Sequence, residues 1–439
     1  MNFNTTPAMD AARAQAIAQT LDLRNLPRDF LDNPYPVYAA LRESAPFKRM
    51  PDDSFFLTRH ADLVAVYRDA KVFSSDKQVE FGPKYNHAPF NQAPLATASG
   101  VAPLFEHHTH SLVFNDAPRH TRVRRLIMGA LTRRAIEAME PGLVGLVDRL
   151  LDRLQARGGG DLIEDFASAI PVEIIGNLLA VPHADRAPLR GWSLAILGAL
   201  EPALTPEQEA LGNRSVTEFL AYLRDLVNQR RAHPGDPEHD VLTRLIQGED
   251  HGESLSEVEL LQNCVFLLNA GHETTTNLIG NALITLQEWP EQREQLKADL
   301  NAAATDAEGE RILDLAVDEF LRFESSNQLG NRRALQATHI NGVDLPEGAL
   351  VTLCIGAANR DPAVYEHPEQ LDLRRTGNKH LAFGFGVHQC AGLSLARLEG
   401  RIAIGRFLQR FPDYQLTHAP VRGGRARFRG FLSAPFSTH

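Results

Sequence analysis

The chain has 439 residues, 43% of them hydrophobic and 23% charged, with a formal net charge of −10. That is the balance of a folded globular protein long enough to bury a large core, and the acidic total argues against nucleic acid as the main partner. Three cysteines, Cys264, Cys354 and Cys390, are odd in number and far apart, which argues against a disulfide framework and fits a reducing cytoplasm.

The first residues carry no basic region followed by an apolar run. No window of about 18 uncharged apolar residues follows, so neither an export signal nor a membrane anchor is expected. Residues 1–24 read as a loose lead-in to one domain over 25–439, with no linker long enough to divide it. Asn33, Pro34, Tyr35 and Pro36 open a helix through Leu41. Short strands are expected at 47–48 and 55–57 and a helix near 61–67. From about 73 to 113 the periodicity breaks down in a stretch holding Phe81, Tyr85, Phe90, Phe105, His87, His107, His108 and His110. A long irregular segment of this kind is either a functional lid or a solvated loop. The histidines lack carboxylate or cysteine partners at regular spacing, which argues against a metal site.

A basic helix follows, with Asp116 as its expected N-cap and Pro118 in its first turn. His120 and Arg124 lie four apart and share one face, where they could grip a carboxylate. A basic face of this kind is ordinarily solvated surface or a docking patch for an acidic partner. Helices over 135–157, 166–179, 187–200, 206–231 and 240–247 read as scaffold.

Ser256 and Glu259 have capping-box spacing, and nothing interrupts the pattern before Trp289 and Pro290. The spacing predicts one helix of about 32 residues, roughly 48 Å long. Its middle, Asn269 to Thr276, conflicts with its surroundings: a glycine and three β-branched threonines are poor helix formers, and a His-Glu pair is expensive to bury. Small Ala270 and Gly271 leave room for a ligand, and Thr274 offers a hydroxyl beside it. The commoner role of a mid-helix threonine is to bond back to the preceding turn. Glu319 and Arg322, three apart, read as an ordinary helical ion pair.

Cys390 closes a run of three glycines and two aromatics, 383–392, that leads into a helical pattern. At a helix start the free amides and the positive end of the dipole favour a thiolate, the metal-binding form. A lone cysteine beside glycines is otherwise most often an inert buried thiol.

The ten residues Phe383, Gly384, Phe385, Gly386, Val387, His388, Gln389, Cys390, Ala391 and Gly392 resemble the heme-binding loop of the cytochrome P-450 superfamily, Phe-Gly-x-Gly-x-His-x-Cys-x-Gly, at every fixed position. The resemblance extends from about Asn33 to Leu416, and the missing anchor points to the bacterial type. It implies a mainly α fold with small β-sheets, a triangular helix-rich domain whose long central helix crosses over heme b. It implies Cys390 as iron ligand, with Phe383, Gly384, His388 and Gly392 around the cofactor and His120, Arg124 and Arg332 on its propionates. Ala270 and Gly271 would form the oxygen-binding groove, where Thr274 orients water and Glu273 relays protons. Glu319, Arg322 and Arg375 would brace the fold. Where family members often read Glu-Ser-Pro, this chain has Glu324, Ser325 and Ser326.

The activity implied is insertion of one oxygen atom from O2 into a mostly apolar small organic substrate, by hydroxylation or oxidative O-demethylation. Phe266, Asn269, Ala270, Gln328 and Leu329 are expected to line the pocket. No flavin fingerprint or cysteine cluster is present, so electrons are expected from a separate ferredoxin or flavodoxin-like carrier and its NAD(P)H reductase. Arg119, Arg122, Arg125, Arg133, Arg134 and Arg397 are its expected docking face. Alternatives are a peroxide-driven heme-thiolate peroxygenase and a non-enzymatic heme-binding sensor or carrier.

Overall fold

The computed structural model describes residues 9–77, 102–237, 240–248 and 252–438. The chain forms two compact units, one of Met1–Phe73, Pro141–Ile170 and Thr274–His439, the other of Ser74–Glu140 and Pro171–Glu273.

In the first unit, four consecutive strands of a five-stranded sheet run in the order Phe47–Arg49, Phe55–Leu57, Leu350–Cys354 and Leu329–Ala334. The middle pair is parallel, with Phe55 opposite Val351, and its neighbours are antiparallel. Alternation along each strand sends successive side chains to opposite faces, and both faces are covered. Phe56 and Cys354 join a cluster with Ile17, Tyr38 and Leu41, whereas Phe55, Leu57, Val351 and Leu353 join one with Leu63, Val66 and Tyr67.

The expected loose lead-in is corrected here: Ala11–Gln19 is a helix, started by the Asp10 carboxylate accepting from the Arg13 amide at 2.7 Å. Ala14, Ile17 and Ala18, spaced three and four apart, bury one stripe in the first of those clusters. The expected helices at 33–41 and 61–67 are Tyr35–Ser44 and His60–Arg68.

The same unit contains a three-stranded sheet whose central strand, Pro435–Ser437, pairs with Gly159–Asp161 on one side and Gln415–Leu416 on the other. Gly159 is required there, because a Cβ on it would lie 2.2 Å from the Phe436 carbonyl oxygen.

The second unit is helical. Pro206–Ala232 begins with a reciprocal capping box between Thr205 and Gln208. Trp192, on Leu189–Gly198, stacks on Phe219 at 4.9 Å. Part of the stretch read as irregular is helical, Pro103–His110, with Leu104 packed against Gly212. Phe81, Tyr85, Phe90 and His87 lie outside the described residues. Asp116 is not an N-cap: the next helix, Arg119–Ala130, starts at Pro118, and the Asp116 carboxylate instead accepts from the Ser74 hydroxyl and the Ser75 amide.

The long helix is Glu257–Glu288, 32 residues. Both halves of its predicted capping box form, Ser256 N to Glu259 Oε2 at 3.0 Å and Glu259 N to Ser256 Oγ at 3.3 Å. Among the described residues no helix is long and apolar enough to cross a membrane.

Candidate active site

The cysteine loop is built by short-range backbone bonds. The Cys390 amide donates to the Phe383 carbonyl at 2.8 Å, the Gly384 amide to Leu381 at 2.8 Å and the Gln389 amide to Gly386 at 3.0 Å. Gly386, at φ 73°, comes so close to the end of the His60–Arg68 helix that a Cβ would meet the Tyr67 carbonyl oxygen at 2.6 Å. Arg68 lies over the Phe385 ring and Arg332 over the Tyr67 ring. Gly392 caps the Leu393–Arg410 helix, which places Cys390 two residues ahead of a helix start.

The three cysteines separate on burial. Cys264 and Cys354 are fully buried, and burial pushes both thiols up to about 12. Cys390 is half-buried. Beside it, a Cβ on Gly384 would find its nearest neighbour 3.8 Å away, and one on Gly392 would meet nothing within 4 Å. The loop therefore presents a thiol, open glycines and the partly exposed rings of Phe383 and Phe385 together.

A second set of residues anchors the chain leading to that loop. Glu319 and Arg322 form a bidentate pair at 2.7 Å, both fully buried. Arg375, Asn378 and the Asp372 amide also donate to Glu319, at 3.1, 3.2 and 3.0 Å. Arg322 continues to the carbonyls of Asn359, Pro368 and Gln370. The Asn359 side chain receives the Leu381 amide at 2.7 Å, two residues before Phe383. Asn359 lies in a stretch, Asn359 to Pro362, that continues the family resemblance, but nothing in the sequence singled out Asn378; both act through geometry fixed by distant segments.

On the long helix, Phe266, Ala270, Gly271 and Thr274 are the half-buried residues between Glu259 and Asn281, and their spacing puts them on one stripe. Gly271 is closely packed, since a Cβ would lie 2.5 Å from Ile175 Cδ1. Glu273 is buried. His272 is buried, with no hydrogen-bond partner for either ring nitrogen among the described residues, and burial, with Arg190 adding to it, holds it down to about 3.

Three expected pocket residues, Asn269, Gln328 and Leu329, are buried against other parts of the chain. Asn269 lies off the stripe, buried, with its amide nitrogen 3.3 Å from His107 Nε2, while His107 Nδ1 meets Gln262 at 3.0 Å. Burial holds His107 down to about 4. Gln328 is fully buried and donates to the Ser325 carbonyl and the Tyr35 hydroxyl, and Leu329 belongs to the core around Tyr38. The physical reason is backbone pairing of 326–328 with 427–429, through Gln328 N to Arg427 O and Arg429 N to Ser326 O, both 2.8 Å. Glu324, at the departure from the family pattern, is buried; burial raises its pKa, but Arg429, Arg422 and Arg360 outweigh this and hold it low.

His120 is buried on Arg119–Ala130, four residues before Arg124, and Arg332 is buried on Leu329–Ala334. The arginines expected to dock a carrier are largely answered by acids: Arg119 and Arg122 by Glu259, Arg125 by Glu253, Arg133 by Glu137 and Arg397 by Asp318.

Residues 199–416 match the family described as cytochrome P-450. Cytochrome P-450 107B1 of Saccharopolyspora erythraea is 35% identical over 87% of this chain and 89% of its own. The chain belongs to the cytochrome P-450 family. The vitamin D(3) 25-hydroxylase of Pseudonocardia autotrophica is 35% identical over 88% of each chain. Among solved structures, the cytochrome P-450 BioI in complex with acyl carrier protein ligated to hexadec-9Z-enoic acid superposes with a TM-score of 0.83 at 31% identity, covering 93% of this chain and 99% of that one. This cytochrome P-450 is thus an oxygen-incorporating oxidoreductase with heme b as cofactor. The residues present fit that group: one reachable thiol at a helix start, glycines with room above them, and aromatic rings for an apolar macrocycle.

Proposed function

We propose that this cytochrome P-450 inserts one oxygen atom from O2 into a mostly apolar small organic substrate, by hydroxylation or oxidative O-demethylation, with Cys390 as the residue that would hold the heme iron. The observation that carries the reading is that Cys390 alone of the three cysteines is reachable, in a loop closed by its own amide. Heme b, when bound, supplies oxygen activation, which a thiolate ligand favours by donating electron density. The Leu393–Arg410 helix start favours the thiolate over the thiol. His120, Arg124 and Arg332 are assigned to the propionates, Thr274 to orienting water from the stripe, and Glu273 to carrying the proton. Phe266 and Ala270 shape the substrate side of the long helix, and their apolar character supports an apolar substrate, while Ala270 and Gly271 are assigned to the oxygen-binding groove. Electrons come from a separate ferredoxin or flavodoxin-like carrier and its NAD(P)H reductase.

The test is the absorbance of the reduced protein with carbon monoxide. The wild type is expected to show the sulfur-ligated maximum and Cys390→Ser to lose it; persistence in the variant refutes the assignment. Two relatives, one named for vitamin D(3) and one solved with a carrier-bound fatty acyl chain, make sterol-like molecules and fatty acids the first compounds to screen for a shift of the heme band. Turnover with ferredoxin, reductase and NAD(P)H, compared with hydrogen peroxide alone, identifies the electron source.

A further inference from the structure

Beside the Glu319 network lies a second one that the reading above does not use. Asp318, the preceding residue on the Asp306–Phe323 helix, receives Arg397 Nε at 2.8 Å on Oδ1, and His380 Nε2 lies 3.3 Å from the same oxygen. Both partners turn onto one ring. The Arg397 guanidinium carbon sits 4.8 Å from the centroid of Phe383, and the His380 ring centroid is 5.6 Å from it. Phe383 in turn provides the carbonyl that receives the Cys390 amide at 2.8 Å. Residues from a helix, the segment before the loop and the helix after it thus converge on the aromatic residue whose backbone closes the loop. A partly exposed ion pair contributes little by itself, so its position against Phe383 is what asks for a role.

We propose that Asp318, His380 and Arg397 form a clamp on Phe383 that fixes the Cys390 loop, making them positioning residues for the sulfur ligand. The inference rests on Cys390 being that ligand. Partners that orient a metal ligand without touching the metal affect its affinity and electronics. The clamp also sets one cation and one anion beside the residue whose carbonyl receives the Cys390 amide, and the two have opposite Coulombic effects on an added electron.

The experiment uses the heme-loaded protein and the variants Arg397→Ala, Asp318→Asn and Arg397→Lys. Heme transfer to excess apo-globin and the midpoint potential are measured for each. Loss of the clamp is expected to speed heme transfer about tenfold in Arg397→Ala and Asp318→Asn. The potential should fall in Arg397→Ala, where the anion remains, and rise in Asp318→Asn, where the cation remains; a general loosening would move both the same way. Arg397→Lys keeps the charge without the planar face, so its potential should match the wild type while heme transfer is still accelerated, and it carries the test if the alanine variant does not fold. Wild-type rates of heme transfer, or potentials that shift in the same direction, overturn the clamp. Absence of the sulfur-ligated carbonyl spectrum in the wild-type protein instead overturns the assignment of Cys390, and is read first.

Discussion

The Glu319 carboxylate accepts from two arginines, an asparagine and a backbone amide, whereas His272, almost as deeply buried, has a partner for neither ring nitrogen among the described residues. The first arrangement is what a buried charge needs to be tolerated at all. The second is a local defect, set in a helix segment whose composition already opposes helix formation. Where polar groups are saturated, the chain is anchoring the segment that leads to the cysteine loop; where they are left short, beside the half-buried stripe of the long helix, the chain carries a cost in stability.

The largest way to break this contrast is to remove one member of the saturated set. Arg322→Ala should destabilise the protein by about 3–5 kcal/mol, because it strands Glu319 without its main partner. Urea unfolding checks this, and a loss below about 1 kcal/mol would mean the network is redundant. Next comes Gly271→Ala on the stripe, expected to cost about 1–3 kcal/mol through the clash with Ile175 Cδ1. Adding Ile175→Val, which deletes that atom, should recover most of the loss.

The unsaturated side should respond in the opposite sense. His272→Leu removes two unpartnered polar atoms and is expected to stabilise the protein by about 1 kcal/mol. A clear destabilisation would show that the ring holds a partner in solution.

The smallest effect is a pH slope. Burial holds His107 to about 4 and His272 to about 3, below the ordinary 6.5. As pH falls below 6.5 the unfolded chain takes up these protons first, so the stability contributed by the two neutral rings is lost progressively toward pH 4. Glu399 runs the other way: burial pushes it up from 4.5 to about 8, so its contribution is intact below 4.5 and declines as pH rises toward 8. Urea midpoints between about pH 4.5 and 8.5 should show a shallower acid-side fall in His272→Leu, where His107 alone remains, and a shallower alkaline-side fall in Glu399→Gln.

Much of this was legible in the amino-acid order because it is written in local rules. The long helix announces its start by Ser256 and Glu259 and its end by Trp289 and Pro290. The cysteine loop carries its glycines in sequence, and two of them take positive φ. Segments whose role depends on distant partners were harder to read. Gln328 and Leu329 turn into the core because 427–429 pair with the neighbouring backbone, a contact no local pattern encodes. Ala11–Gln19 is a weakly amphipathic helix that earns its place by packing on Tyr38 and Leu41. Asp116 had the spacing of a cap, but two serines near the sheet compete for its carboxylate. Among candidate site residues, Thr274 and Phe266 lie on the half-buried stripe of the long helix, while Asn269 is buried beside His107.

The strand Pro435–Ser437 occupies the middle of its sheet, between segments that precede it by about twenty and nearly three hundred positions. During synthesis Gly159–Asp161 and Gln415–Leu416 must wait for it, so the unit that carries the cysteine loop completes that sheet only once Pro435–Ser437 has been made. A stop codon before Pro435 would remove the strand on which both neighbours close.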